Sequence, residues 1–253
     1  MRASEILDRR HALIAGLAGA VTSLSGCGEV HQPPEQARIL LFAGVGTSRN
    51  DVTVLERILS ALGHDYAVVN SNQLGALDEA TLRTHRLLIV PGGNFEAIGR
   101  NLTPAATANI RSAVRSGLNY LGLCAGAFFA GASPYNGLNI TDGVRLEFYA
   151  LEAQGTRKSL VPIVFADGST SDHYWEDGPQ LNGWGNVVAT YPNGAPAIVE
   201  GQCGAGWAVL TGTHPEAPAS WLQGMTPATA AQNRLFTGTL IDAALHGMRL
   251  ATP

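Results

Sequence analysis

The chain has 253 residues, a formal net charge of −4, 45% hydrophobic residues and only 14% charged ones. That length suffices for one α/β domain with a sizeable core. Of its 16 basic residues only Lys158 is a lysine, and no basic block forms a stripe, so a nucleic-acid partner is not expected.

The chain opens on a processing pattern. Arg9 and Arg10 precede an apolar run from Ala12 to Gly26, too short for a membrane span but suited to a signal-peptide core. Leu24-Ser25-Gly26-Cys27 resembles the lipobox of bacterial lipoproteins, and the arginine pair resembles a twin-arginine signal. The resemblance implies export to the bacterial cell envelope. Cys27 would then carry a lipid anchor on the periplasmic or extracytoplasmic face. Residues 1–27 are accordingly read as a signal peptide. Residues 28–36, with Pro33 and Pro34, read as a tether, and residues 37–253 as a single domain.

Ala37 to Gly44 is an apolar run of the kind expected for a central parallel strand. Val52, Leu55, Ile58, Leu59 and Leu62 recur at helical spacing, and Gly63 closes that helix. Tyr66 to Val69 predicts a second strand, Leu77 to Thr84 a short helical segment, and Leu87 to Val90 a third strand. Thr103-Pro104 opens a helix that Gly117 ends, and Leu118 to Leu123 is a fourth strand. The stretch from Leu138 to Asn182, rich in Gly, Asp, Ser and aromatics, reads as an antiparallel or irregular excursion. Later strands are expected over 187–190, 196–200 and 207–211, with a final helix over 234–246. Alternating strands and helices with short connections predict a three-layer α/β fold with a mostly parallel, flavodoxin-like sheet. Gly44 to Ser48 lacks the spacing and the lysine of a phosphate-binding loop, so no nucleotide cofactor is implied.

Cys124 follows the fourth strand and precedes Ala125-Gly126-Ala127. Small residues there permit the tight strand-to-helix turn of a nucleophile elbow, and a thiol at a helix start is favoured as thiolate. The N–H of Ala125 could then stabilise an oxyanion, with a second donor from the Gly92-Gly93 loop after the third strand. His214 leaves the end of a later strand, where α/β sheets build their sites, and Glu216 stands close enough to orient its imidazole. Asp172, His173, Glu176 and Asp177 cluster, but no second histidine stands at helical spacing. They read as a solvated acidic loop, and no metal is expected. Cys203 reads as a small hydrophobe at a partly buried strand edge. Whether it pairs with Cys124 in a disulfide is open at this level.

Val90 to Asn94 (VPGGN), Tyr120 to Gly131 (YLGLCAGAFFAG) and Gly212 to Glu216 (GTHPE), in this order, resemble the class I glutamine amidotransferase-like superfamily. Within it, the chain more closely resembles the N-terminal domain of eukaryotic biotin–protein ligases and its stand-alone bacterial relatives, over roughly residues 37–247. The resemblance implies Cys124 as nucleophile, His214 as general base and Glu216 as its orienter. Gly93 and Ala125 would supply oxyanion donors. Gly92, Asn94, Tyr174, Gly178 and Pro179 would bind substrate, the last three as the wall facing the cysteine. Nothing resembles the glycine-arginine adenylate loop of the ligase catalytic domain, so biotin ligation is not expected. Beside a purely structural lipoprotein whose Cys124 is simply packed in the core, two functions stay open. One is an amide or peptide hydrolase or transferase acting through a thioester. The other is a non-catalytic module of the cell envelope that binds a small molecule or peptide.

Overall fold

The computed structural model describes residues 37–250. The expected signal segment with Cys27 and the tether 28–36 lie outside the described residues.

In chain order the elements are β1 (Ile39–Phe42), α1 (Arg49–Ala61), β2 (Tyr66–Val69), α2 (Ser71–Ala76), α3 (Glu79–Leu82), β3 (Leu87–Val90), α4 (Phe95–Arg100), α5 (Pro104–Arg115), β4 (Asn119–Leu123) and α6 (Ala125–Ala130). They continue with β5 (Glu147–Phe148), α7 (Ala150–Ala153), β6 (Lys158–Phe165), β7 (Thr170–Glu176), β8 (Pro179–Gln180), β9 (Asn186–Thr190), β10 (Pro196–Cys203), β11 (Gly206–Thr211) and α8 (Pro227–His246).

Nine of the strands form one sheet in the order β2-β1-β3-β4-β11-β10-β9-β6-β7. The first five pair in parallel. The last four are joined by antiparallel pairings, so that only β10 and β6 run against the common direction. The excursion read from Leu138 to Asn182 is therefore partly sheet: β6 and β7 extend the main sheet as an antiparallel edge.

The fully buried strands explain the three layers. Leu40, Phe42, Leu88, Val90 and Tyr120 face one core with Leu74, Ile98, Ile110 and Phe129 from the helices α2 and α4–α6. Ile39, Leu41, Leu87, Ile89, Leu121 and Leu123 face the other, with Leu55 and Leu59 of α1 and Leu240 and Ile241 of α8. Strand alternation sends successive residues to opposite faces, and both faces are covered, so β1 and β3 are apolar throughout and β4 carries one polar residue, Asn119, at its start.

Several boundaries differ from the expectation for local reasons. Within the helical segment expected over 77–84 only Glu79–Leu82 is helix, capped by Asp78, and a further short helix, Ser71–Ala76, precedes it with Asn70 as its cap. Asn94 caps α4, an element without an apolar stripe in the sequence. The last helix begins at Pro227, with Thr226 as cap, a turn and more before the first strongly apolar residue of its pattern. Most important for the site, Asp172 to Glu176 is strand, not loop: His173 and Trp175 are fully buried in β7. The imidazole of His173 is bonded through Nδ1 to Thr213 Oγ1 at 3.0 Å.

Candidate active site

Strands β1, β3, β4, β7 and β11 share one direction, so their C-terminal ends deliver Asp51, Gly93, Cys124, Glu176 and His214 to one edge of the sheet. These residues line a single cavity of about 490 Å³. Asn94, Phe95, Ala125, Phe128, Phe148, Arg157 and Asp177 contribute the rest of the apolar and charged lining that the chemistry below uses.

Cys124 sits on a strained turn, at φ 48° and ψ −102°. A positive φ at a non-glycine residue costs on the order of 1–3 kcal/mol and persists only where the surroundings enforce it. Three features enforce it here. The Cys124 N–H is tied to Thr211 O of β11 at 2.8 Å. A Cβ at Gly126 would run into the Val90 carbonyl of β3, and a Cβ at Gly122 would press on the Gly126 carbonyl. The elbow thus needs a small residue two positions on either side of the cysteine. Ala125 is the first residue of α6, so its N–H has no acceptor within the helix. The thiol is 4% exposed and donates to the Glu176 carbonyl at 3.4 Å. Cys203 is also a free thiol, at the end of β10, bonded to Ile140 O at 3.4 Å. Burial pushes its pKa up to about 12. The two cysteines therefore form no disulfide.

The loops after β1 and β3 are laced together. Ser48 N donates to Gly92 O at 2.8 Å and Asn94 N to Gly46 O at 2.7 Å. Gly93 lies at φ 141° and a Cβ there would meet the Gly46 carbonyl, so glycine is required on both counts. This lacing brings the Gly93 backbone into the cavity. Asn94 also lines it, but its side chain is spent on capping α4, accepting from Ala97 N at 2.9 Å.

His214 is held from three sides. Its N–H donates to Tyr174 O at 2.8 Å, and its Nδ1 lies 2.9 Å from Glu216 Oε1 and 3.0 Å from Asp51 Oδ1. All three side chains are almost fully buried. Burial alone would lower the imidazole pKa, but Cys124, Glu216 and Asp51 outweigh it and hold it well above the usual histidine range. For Glu216 burial wins, and its carboxyl is pushed up despite the attraction of His214. For Asp51 burial loses to His214 and to hydrogen bonds, and its carboxyl is held below the usual range. Asp51, His214 and Glu216 each present a ligand-type atom within 4.8 Å of the others. The shortest of these contacts are at hydrogen-bond and ion-pair distances, as a shared proton requires.

The wall facing the cysteine differs from the sequence expectation. Glu176 and Asp177 line the cavity. Gly178 and Pro179 stand behind them: a Cβ at Gly178 would meet the Gly212 carbonyl, and Pro179 O accepts from Tyr191 Oη at 2.8 Å. Those two residues shape the loop before His214 and are not part of the cavity lining. Tyr174 lines a neighbouring cavity beside Asp51, Lys158 and Trp221, and its hydroxyl donates to Glu176 Oε2 at 2.5 Å. Gly92 is likewise a spacer, since a Cβ there would strike both Asp51 Oδ1 and His214 Cε1.

Sequence reasoning missed Asp51 altogether. A signal was present: Ser48-Arg49-Asn50-Asp51 has the spacing of a capping box, and Asp51 N does bond Ser48 Oγ at 3.4 Å. That pattern places an acid in the first helical turn after β1, at the edge of the sheet where the other groups collect.

A family model described as the N-terminal part of biotin-protein ligase matches residues 37–157. Residues 37–157, just under half of the chain, are thus similar to the N-terminal part of biotin-protein ligase. The matched span covers the Gly92-Gly93 loop and the Cys124 elbow, while His214 and Glu216 lie beyond it. The biotin–protein ligase of Schizosaccharomyces pombe is 27% identical over 213 residues, 70% of this chain and 33% of that protein. The chain thus spans about a third of the length of this curated relative. Among solved structures, a glutamine amidotransferase superposes with a TM-score of 0.59 at 20% identity, over 83% of this chain and 100% of that one. A cytoplasmic protein of Salmonella typhimurium gives 0.51 at 12% identity, over 81% and 98%. An exo-β-1,4-mannosidase from Opitutaceae bacterium strain TAV5 gives 0.53 at 12%, over 79% of this chain and 35% of that one. These structural likenesses show the glutamine amidotransferase-like, three-layer fold.

Proposed function

We propose that the chain is a cysteine-dependent amide or peptide hydrolase or transferase that works through a thioester on Cys124. The observation that carries this reading is one cavity holding a cysteine on an enforced elbow together with a buried His214–Glu216 pair. Such a constellation activates a thiol and orients its base. Cys124 Sγ, its proton already drawn to His214, attacks the substrate carbonyl carbon as a thiolate beside the imidazolium. The oxyanion is met by the N–H groups of Ala125 and Gly93. Collapse breaks the C–N bond, and the leaving amine takes the proton from His214. Water, or an amine acceptor, then attacks the thioester, giving its proton to His214, and the thiol leaves. The thiol would first swing away from the Glu176 carbonyl. With the lipobox-like LSGC at 24–27, we place this chemistry in the cell envelope, on a chain anchored to the membrane through Cys27. Biotin ligation is no part of the proposal.

The test is intact-mass spectrometry of the purified chain incubated with a panel of peptide and amino-acid p-nitroanilides. An acyl adduct on Cys124, with released nitroaniline, is the expected result. Turnover unchanged in Cys124→Ala would overturn the mechanism.

A second reading, a binding module for a small amide or an envelope peptide, is favoured by one observation. The thiol is engaged with a backbone carbonyl rather than with its base. Ligand retention without adduct or turnover in the same panel supports that reading.

A further inference from the structure

We propose that Asp51 is a second positioning carboxylate for His214, sharing the Nδ1 side of the ring with Glu216, so that two acids from distant parts of the chain hold one imidazolium. The inference rests on the reading of His214 as the base of the Cys124 site.

Four observations carry it. Asp51 Oδ1 and Glu216 Oε1 lie 3.0 Å and 2.9 Å from the same nitrogen. One N–H donates along one axis, and the bond goes to Glu216, which leaves Asp51 as an ion-pair partner beside it. Asp51 Oδ1 and Glu216 Oε2 are both buried without a hydrogen bond of their own, a costly arrangement unless charge or a shared proton compensates it. Gly92 is the residue that admits the contact, since any side chain there would fill the space where Asp51 meets the ring. Finally, Asp51 is fixed in the first turn of α1 by Ser48, so the carboxylate is held before substrate arrives.

The groups facing His214 are Asp51 from α1, Cys124 from the β4–α6 elbow, Glu216 from its own loop and Tyr174 from β7, with Glu176 bonded to the Tyr174 hydroxyl. Of the two acids on Nδ1, Glu216 is the one driven toward its neutral form, whereas Asp51 is kept ionised. The labour therefore divides. Glu216 sets the direction of the ring, and Asp51 adds its charge to the pull of Cys124 and Glu216 that keeps it protonated. An opposite charge within ~4–6 Å moves a pKa by about 1–3 units.

The experiment is an NMR titration of the histidine Cε1–H resonances in the full chain, with His214 identified by its loss in His214→Asn. In the unsubstituted protein His214 keeps its proton well above neutral pH. In Asp51→Asn the midpoint falls by about one pH unit or more. A folded Asp51→Asn with an unmoved midpoint overturns the proposal, even where its melting temperature has dropped. If that variant does not fold, the Asp51 13Cγ resonance of the unsubstituted protein decides. A second step at the pH where His214 loses its proton supports the coupling, and a single step overturns it. A His214 resonance that moves on adding zinc chloride at fixed pH also overturns it, because the three groups would then be a metal site. Failure of the thioester chemistry is seen separately, as Cys124 that forms no adduct, and leaves this titration readable.

Discussion

Asp51 Oδ1 stands 3.0 Å from Nδ1 of His214, across the bare backbone of Gly92. The contact exists because residue 92 has no side chain. Gly92→Ala should therefore separate the acid from the ring and destabilise the fold by about 1–3 kcal/mol, as overpacking does. Thermal unfolding checks the stability, and the His214 titration midpoint should fall with it. An unchanged midpoint in a folded Gly92→Ala would mean that the loop absorbs the methyl group elsewhere.

The elbow makes a prediction that inverts the usual order of residues. Cys124 is held at positive φ, where glycine is at ease and alanine is strained. Cys124→Gly should therefore be more stable than Cys124→Ala by about 1 kcal/mol, measured by urea unfolding, although glycine is normally the worse of the two. Alanine proving the more stable would show that the turn relaxes once the thiol is gone.

Gly126 and Gly75 offer a matched pair of helical glycines. A Cβ at Gly126 would collide with the Val90 carbonyl, whereas at Gly75 it would rest at 3.9 Å from Ala106 and Leu102. Gly126→Ala should cost about 3 kcal/mol or prevent folding, because backbone atoms must move. Gly75→Ala should be neutral or stabilise by up to about 1 kcal/mol, as removing glycine from a helix does. Melting temperatures of the two variants distinguish the cases.

Two buried histidines give opposite pH dependences. Burial lowers the pKa of His173 to about 3, so in the fold it stays neutral while in the unfolded chain it binds a proton below about 6.5. Its contribution is intact above the unfolded value and is lost as pH falls from there towards 3, at roughly 1.4 kcal/mol per pH unit. His214 has the reverse sign. Its raised pKa adds stability that is complete below the unfolded value and is lost as pH rises through the folded one. Stability measured by urea unfolding from pH 4 to 9 should fall on both sides. His173→Gln should flatten the acid limb and His214→Asn the alkaline limb. An alkaline limb that survives in His214→Asn would show that another group carries it.

Thiol reactivity should separate the two cysteines of the described domain. Cys124 lines the cavity, whereas Cys203 is buried away from it with its pKa pushed up to about 12. Iodoacetamide at pH 7 should label the peptide containing Cys124 at least 10-fold faster than the one containing Cys203, by peptide mass spectrometry. Equal rates would show that the elbow does not activate its thiol.

The legible parts of this protein are those written in local pattern. Apolar runs over 37–44, 87–90 and 118–123 marked strands buried on both faces, and their alternation with helices gave the three layers. The small residues around Cys124 marked the elbow, and Gly212 to Glu216 marked a strand end bearing a histidine and its acid. The region 170–176 was misread because its polar composition is that of a loop. Its burial depends on Thr213, which bonds Nδ1 of His173, and on the main sheet that the β6–β7 hairpin joins through β9, neither of which is local. Gly178 and Pro179 were assigned to the cavity wall because they sit in a suggestive stretch. Their actual neighbours are Gly212 and Tyr191, far away in sequence.

The sequence by itself determined the layers, the elbow and the His-x-Glu pair, because each depends on residues within a few positions of one another. Only the tertiary structure decided which groups meet at Nδ1 of His214. Asp51 and Glu216 follow strands β1 and β11, and a shared strand direction puts the segments after those strands at the same edge of the sheet. There the absence of a side chain at Gly92 lets the acid reach the ring. That meeting depends on sheet order and close approach, which no spacing along the chain records.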